Sequence, residues 1–129
     1  MNTSNRLLAL LFTFAILISC NNKMESTFSI QGHISPLKGS SITLLKETDI
    51  ERKISKKIKD IPLTKDGNFK AEFNLEPHLY RLQLDKKNSL LLAIDKGQHI
   101  SIEISDFDTD NPKTIINGSK DSEKLLAYE

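Results

Sequence analysis

The chain has 129 residues, 27% of them charged and 38% hydrophobic, which fits one folded domain with appendages and excludes a disordered composition. With 18 basic and 17 acidic residues it is close to neutral, so there is no electrostatic reason to expect nucleic acid or an anionic membrane surface as the partner. Its single cysteine rules out an intramolecular disulfide, a CxxC redox pair and a zinc site built on thiolates.

Residues 1–6 form a short polar start that carries Arg6. Leu7 to Ile18 follows, twelve residues that are all apolar except Thr13. That is the length of a secretory h-region and is too short to span a bilayer comfortably as a permanent helix. The run ends Leu17-Ile18-Ser19-Cys20, which resembles the lipobox of bacterial lipoproteins. Ile18 is bulkier than the commonest residue at its place. The resemblance implies cleavage between Ser19 and Cys20, with lipid on the sulfur and on the new α-amine. Several acyl chains together anchor durably where one does not. The alternatives are a soluble-secretion signal with an incidental cysteine, or a buried free thiol. Residues 1–19 are therefore read as a lipoprotein signal peptide, 20–26 as a lipidated tether, and Cys20 as the lipidation site rather than a catalytic thiol. The tether has no acidic run, so the default address is the cell envelope, on the periplasmic face of a membrane.

From Thr27 onward the chain reads as β-structure. Phe28, Ile30 and Ile34 mark a first strand, and Ile42 to Leu45 a second. Phe69, Ala71 and Phe73 alternate with polar neighbours, as do Tyr80, Leu82 and Leu84, and then Ile100, Ile102 and Ile104; this period of two is that of a strand with one face inside. Ser89 to Ile94 is a continuous apolar run, consistent with a strand buried on both sides. Asp66-Gly67 and Lys96-Gly97 supply turns in which glycine takes positive φ at little cost. Strands at such short, regular spacing predict an antiparallel β-sandwich of about seven or eight strands over residues 27–118.

One stretch is ambiguous. Ile50, Ile54 and Ile58 fall at helical spacing, with Arg52, Lys53, Lys56, Lys57 and Lys59 among them. Pro62 and the Asp-Gly turn favour a strand over Lys57–Leu63, paired with Asn68–Phe73 and preceded by a charged loop. The five basic residues are read as a solvated face rather than a lipid-binding patch. At the far end, Asn117-Gly118 is a turn, Ser119 can cap, and Asp121 and Glu123 suit a first helical turn. Residues 119–129 are read as the start of a helical linker, too short to be stable alone, that continues in a longer protein.

The order of these pieces is familiar. Phe28-Ser-Ile-Gln-Gly32, Ile42-Thr-Leu-Leu45, Asp66-Gly-Asn-Phe69, Leu79-Tyr-Arg-Leu82, Asp95-Lys-Gly97, Ile100-Ser-Ile102 and Ile116-Asn-Gly-Ser119 follow one another. The chain thereby resembles the N-terminal β-domain of unknown function that precedes thioredoxin-like domains in Gram-negative, Bacteroidota-type lipoproteins. The resemblance implies a thioredoxin-like partner domain. It transfers no thiol–disulfide chemistry, because the chain has no CxxC.

Candidate chemistry is sparse. Asp106, Asp108 and Asp110 have the D-x-D-x-D spacing of a calcium loop, but Asn111 stands where glycine belongs and Asn117 where the glutamate does. His33, His78 and His99 are scattered. Neither a phosphate-binding loop nor a nucleophile elbow occurs. The expectation is a non-enzymatic, lipid-anchored β-domain without metal or cofactor, serving as spacer, docking or binding module. The rival is a stand-alone lipoprotein that binds a peptide or glycan through loops such as Asp106–Pro112, with an enzyme assembled from scattered residues as the last reading.

Overall fold

The computed structural model describes residues 27–128. They form eight strands and one helix. The strands are β1 (Phe28–Ile34), β2 (Ser41–Asp49), β3 (Ile54–Pro62), β4 (Asn68–Phe73), β5 (His78–Gln83), β6 (Ser89–Ile94), β7 (His99–Ser105) and β8 (Lys113–Asn117), followed by α1 (Lys120–Leu126). Two four-stranded sheets, ordered β4-β1-β7-β8 and β3-β2-β5-β6, pack as a sandwich.

The alternation seen in the sequence sets which residues face inward. Ile30, Ile100, Ile102 and Ile104 from the first sheet meet Leu44, Tyr80, Leu82 and Leu92 from the second, all with no residual exposure. Each such side chain contributes roughly 1.5–3 kcal/mol by leaving water. Phe28 ties the layers at one end, with its ring 5.3 Å from Phe73 and 5.5 Å from Tyr80. Gly32 is where β1 passes closest to its neighbours. A Cβ there would lie 1.9 Å from the Ile102 carbonyl oxygen and 2.7 Å from the Phe69 ring, so no other residue fits without moving the backbone.

The sandwich has the expected strand number, and two expected pairings are corrected. First, it is not wholly antiparallel, because β1 runs parallel to β7, with Ser29 opposite His99 and Ile34 opposite Ile104. Second, β3 does not pair with β4. It pairs with β2, from Ser41 opposite Pro62 to Asp49 opposite Ile54, while β4 pairs with β1. The Asp66-Gly67 turn exists: the Thr64 amide donates to the Asn68 carbonyl and the Gly67 amide to the Thr64 carbonyl. Just before it the Leu63 amide donates to Ser40, and just after it the Ile34 amide donates to Gly67. The turn therefore carries the chain from an edge of one sheet to an edge of the other.

The helical spacing of the isoleucines also finds its cause. Ile58 lies at a bulge with no partner opposite in β2, Ile50 is in the β2–β3 turn, and Ile54 is the first residue of β3. β3 thus begins three residues before the expected strand, inside what was read as a charged loop. β6 is buried on one face only. Leu90, Leu92 and Ile94 are buried, whereas Ser89, Leu91 and Ala93 are half-exposed.

α1 closes the side where β6 and β8 form the sheet edges. Ser119 caps it, accepting a bond from the Ser122 amide. Both hydroxyls also donate to the Ala93 carbonyl, at 2.7 and 3.1 Å, and Ser122 Oγ accepts from the Ala93 amide at 3.0 Å. Leu126 packs on the core. A seven-residue helix is too short to persist alone, and this latch onto the open edge of β6 is what holds it.

Candidate functional site

Cys20, the expected lipidation site, lies outside the described residues. The described chain offers three places where polar or apolar groups converge.

The outer face of the first sheet is polar. The parallel register sets Ser29 beside His99, with Ser29 Oγ 2.7 Å from His99 Nδ1. Farther along the same pair of strands, His33 Nδ1 lies 3.1 Å from Glu103 Oε1. A hydroxyl touching an imidazole is the first element of a nucleophile–base pair, which also needs a group orienting the imidazole and free donors for an oxyanion. Here the Ser29 amide is already committed to the Gln98 carbonyl, and the only side-chain hydrogen bond of His99 among the described residues is the one to Ser29. The pair is a cross-strand contact between a buried hydroxyl and an exposed imidazole. His33 and His99 are four positions apart along the register, and His78 is in the other sheet. Among the described residues, no group of three or more histidine, cysteine or acidic side chains is placed to hold a metal.

The outer face of the second sheet contains a buried charge. Glu47 is 3% exposed; it accepts from Arg81 Nε at 2.6 Å, and Arg81 also donates to Ser89 at 3.0 Å. The three residues lie on β2, β5 and β6 and stitch them together. Sequence reasoning missed this pair because Glu47 and Arg81 are 34 positions apart and only the β2–β5 pairing brings them together.

The third place is the loop read as a calcium candidate. Phe107, between Asp106 and Asp108, is turned into the core. The Asp106 carbonyl accepts from the amide and hydroxyl of Thr109, and its carboxylate faces Lys113 Nζ at 3.4 Å. The loop is anchored by an aromatic plug and an ion pair. Beside it opens a cleft of about 280 Å³ lined by Leu84, Leu90, Ile104, Phe107, Pro112 and Leu126, among others. Its lining is mixed, with Asn88, Ser89 and Thr114 placing polar groups beside the apolar side chains. Such a lining suits one apolar side chain of a ligand flanked by hydrogen-bonding groups.

Perturbed titration is confined to structural contacts. Lys57 and Thr43 hold Asp60 below the usual carboxylate range by donating to it. Lys46 does the same for Glu76. Burial pushes Asp85 up, but the side chain of Asn88 and the amides of Lys87 and Asn88 outweigh it, and its pKa falls below the ordinary value. Burial raises the Tyr80 hydroxyl, which donates to the Glu76 carbonyl at 2.6 Å.

No curated protein matches the chain. The family model described as a domain of unknown function (DUF4369) matches residues 28–125. That span runs from the first residue of β1 into the last turn of α1. The chain belongs to that family.

Proposed function

We propose, for this member of a family of unknown function, a non-enzymatic role as a lipid-anchored module of the cell envelope that holds and orients a thioredoxin-like domain. The observation that carries this reading is the latch of Ser119 and Ser122 on Ala93. A spacer must fix the direction in which it hands over the chain, and α1 is fixed to the sandwich rather than swinging from it. The lipobox-like Leu17–Cys20 supports the anchor, since lipid on Cys20 would keep the domain at a membrane surface. The domain would contribute position, and the partner would contribute the thiols.

The test is mass spectrometry of the protein isolated from membranes after in situ cross-linking. The expected result is a diacylglyceryl-modified N-terminal Cys20 peptide, with a CxxC-bearing thioredoxin-like segment on the same chain or cross-linked to it. Unmodified Cys20 in the soluble fraction overturns the anchor. A modified Cys20 without any such segment overturns the spacer role.

A second reading rests on the cleft beside Phe107 and Pro112. In it, the domain binds a peptide or glycan at the Asp106–Pro112 loop. A saturable thermal shift with one class of peptide or glycan, abolished by Phe107→Ala, is its expected signature.

A further inference from the structure

The whole chain is nearly neutral, but its charge is unevenly placed. β2 pairs with β5 only as far as Lys46 opposite Tyr80. Past that point β2 and β3 pair only with each other, forming a two-stranded arm that ends in the turn Ile50–Lys53. Between Asp49 and Asp60 there are five basic residues and three acidic ones. Arg52, Lys53, Lys56 and Lys57 are all exposed. At the tip, Ile50 is 52% exposed and Ile54 is 50% exposed.

The tip is well built. Arg52's amide donates to Asp49 Oδ1, Lys53's amide to the Ile50 carbonyl, and Thr48's hydroxyl to the Ile54 carbonyl. Two branched apolar side chains held in water on an ordered turn, flanked by Asp49 and Glu51 as well as by Arg52, Lys53 and Lys56, have no role in the core. Singly exposed apolar residues are ordinary, but these two lie close together at a projecting tip, with basic side chains beside them.

The direction of the arm identifies the occupant. Tyr80, opposite Lys46, packs on Phe28, and Thr27 bonds to the Phe73 and Leu75 carbonyls. Lys46 is ion-paired with Glu76. The base of the arm and the start of the described chain are thus at the same end of the sandwich. From Lys46 to Asp49 the arm advances three residues, about 10 Å at the strand rise. Thr27 is seven residues after Cys20, a reach of at most about 25 Å. A bilayer holding Cys20 is therefore within reach of the arm.

We infer that the β2–β3 tip rests on that bilayer, with Ile50 and Ile54 entering the interface and Lys53 and Lys56 meeting anionic headgroups, while Arg52 and Lys57 are ion-paired with Asp49 and Asp60. The inference rests on the proposed lipid anchor at Cys20. Lipid and arm would together give two points of attachment, which sets the orientation of the domain as well as its location. Basic residues beside a hydrophobic contact are the usual means of reading an anionic leaflet.

The sequence contains no tryptophan, so one introduced indole reports alone. Ile54→Trp is placed in the arm, and Ile115→Trp, at a site 58% exposed on β8, serves as the remote control. Each protein is isolated from membranes and reconstituted into vesicles of phosphatidylethanolamine with phosphatidylglycerol. Flotation reads the anchor, and emission with quenching by brominated lipid reads the arm. The expected result is flotation of both proteins, with a blue shift and lipid quenching only at position 54. Lys53→Gln with Lys56→Gln should weaken the association that quenching reports by roughly thirtyfold, as two lost headgroup attractions imply.

Flotation with no shift at position 54 overturns the arm contact and leaves the anchor standing. Failure to float overturns the anchor itself. A blue shift without vesicles that grows with protein concentration assigns the tip to a protein contact and overturns the inference. Equal quenching in vesicles lacking phosphatidylglycerol overturns the headgroup contribution.

Discussion

β7 and β3 are both strands in the same sandwich, and they are built on different terms. β7 lies between β1 and β8, and its three isoleucines have no residual exposure. β3 is an edge strand that fully buries only Ile61 of its nine residues. Packing against the opposite sheet holds β7, whereas backbone bonds to β2 hold β3. Lysine-rich edges such as this one also discourage pairing with other chains. Strand geometry therefore says little about how much a segment contributes to stability; the number of faces covered says more.

That contrast can be broken or sharpened by substitution. Ile102→Ala should destabilise the domain by about 2–5 kcal/mol, with Ile54→Ala within about 0.5 kcal/mol of the parent. Urea unfolding of the two variants measures both, and equal losses would erase the distinction. Ion pairs should divide in the same way. Glu47→Ala removes the acceptor of Arg81 within the second sheet and should lower stability by about 2–3 kcal/mol, discounted because solvent reaches Arg81. Lys57→Ala, which breaks the exposed pair with Asp60, should change it by no more than about 1 kcal/mol.

The latch of α1 lies between these extremes. Ser122→Ala leaves the Ala93 amide without its side-chain acceptor and should lower stability by about 1–2 kcal/mol. Native-state hydrogen exchange should show faster exchange at Ala93 while β7 amides stay protected. If β7 loosens equally, α1 is an integral part of the core.

The smallest effect concerns acid. Asp60, Glu76 and Asp85 have folded pKa values below their ordinary ones. Each contributes stability that is fully present above its unfolded pKa and is lost as pH falls through the folded value. Stability should therefore be level near neutrality and decline below about pH 4. Asp85→Asn should reduce that acid sensitivity more than Asp60→Asn does, because four hydrogen bonds within the β5–β6 turn converge on the Asp85 carboxylate. A pH series of thermal melts reads the difference.

The sequence pattern was most legible where one face is buried. The alternations at Phe69–Phe73, Tyr80–Leu84 and Ile100–Ile104 mark their inward residues correctly. It was least legible where pairing depends on residues far apart. An Asp-Gly turn signals a reversal of the chain but not whether the strands that flank it share a sheet. β8 has a single fully buried residue, Ile116, with Ile115 facing solvent, so it carries no alternation to read. The polar contacts were hidden for the same reason: Ser29 and His99 are 70 positions apart and Glu47 and Arg81 34. Only the strand order brings them together.

The parallel pairing of β1 with β7 has a consequence for how the domain is made. β1 is the first strand of the described chain, yet it lies inside its sheet, with β4 on one side and β7 on the other. During synthesis it emerges first and waits until residues 99–105 arrive to cover its second edge. Closure across so long a loop is slow, because chain entropy opposes it before any contact rewards it. Until then β1 keeps one strand edge unpaired. The first sheet is thus completed only after β7 has been made, although β2, β3, β5 and β6 can already have paired with one another by then.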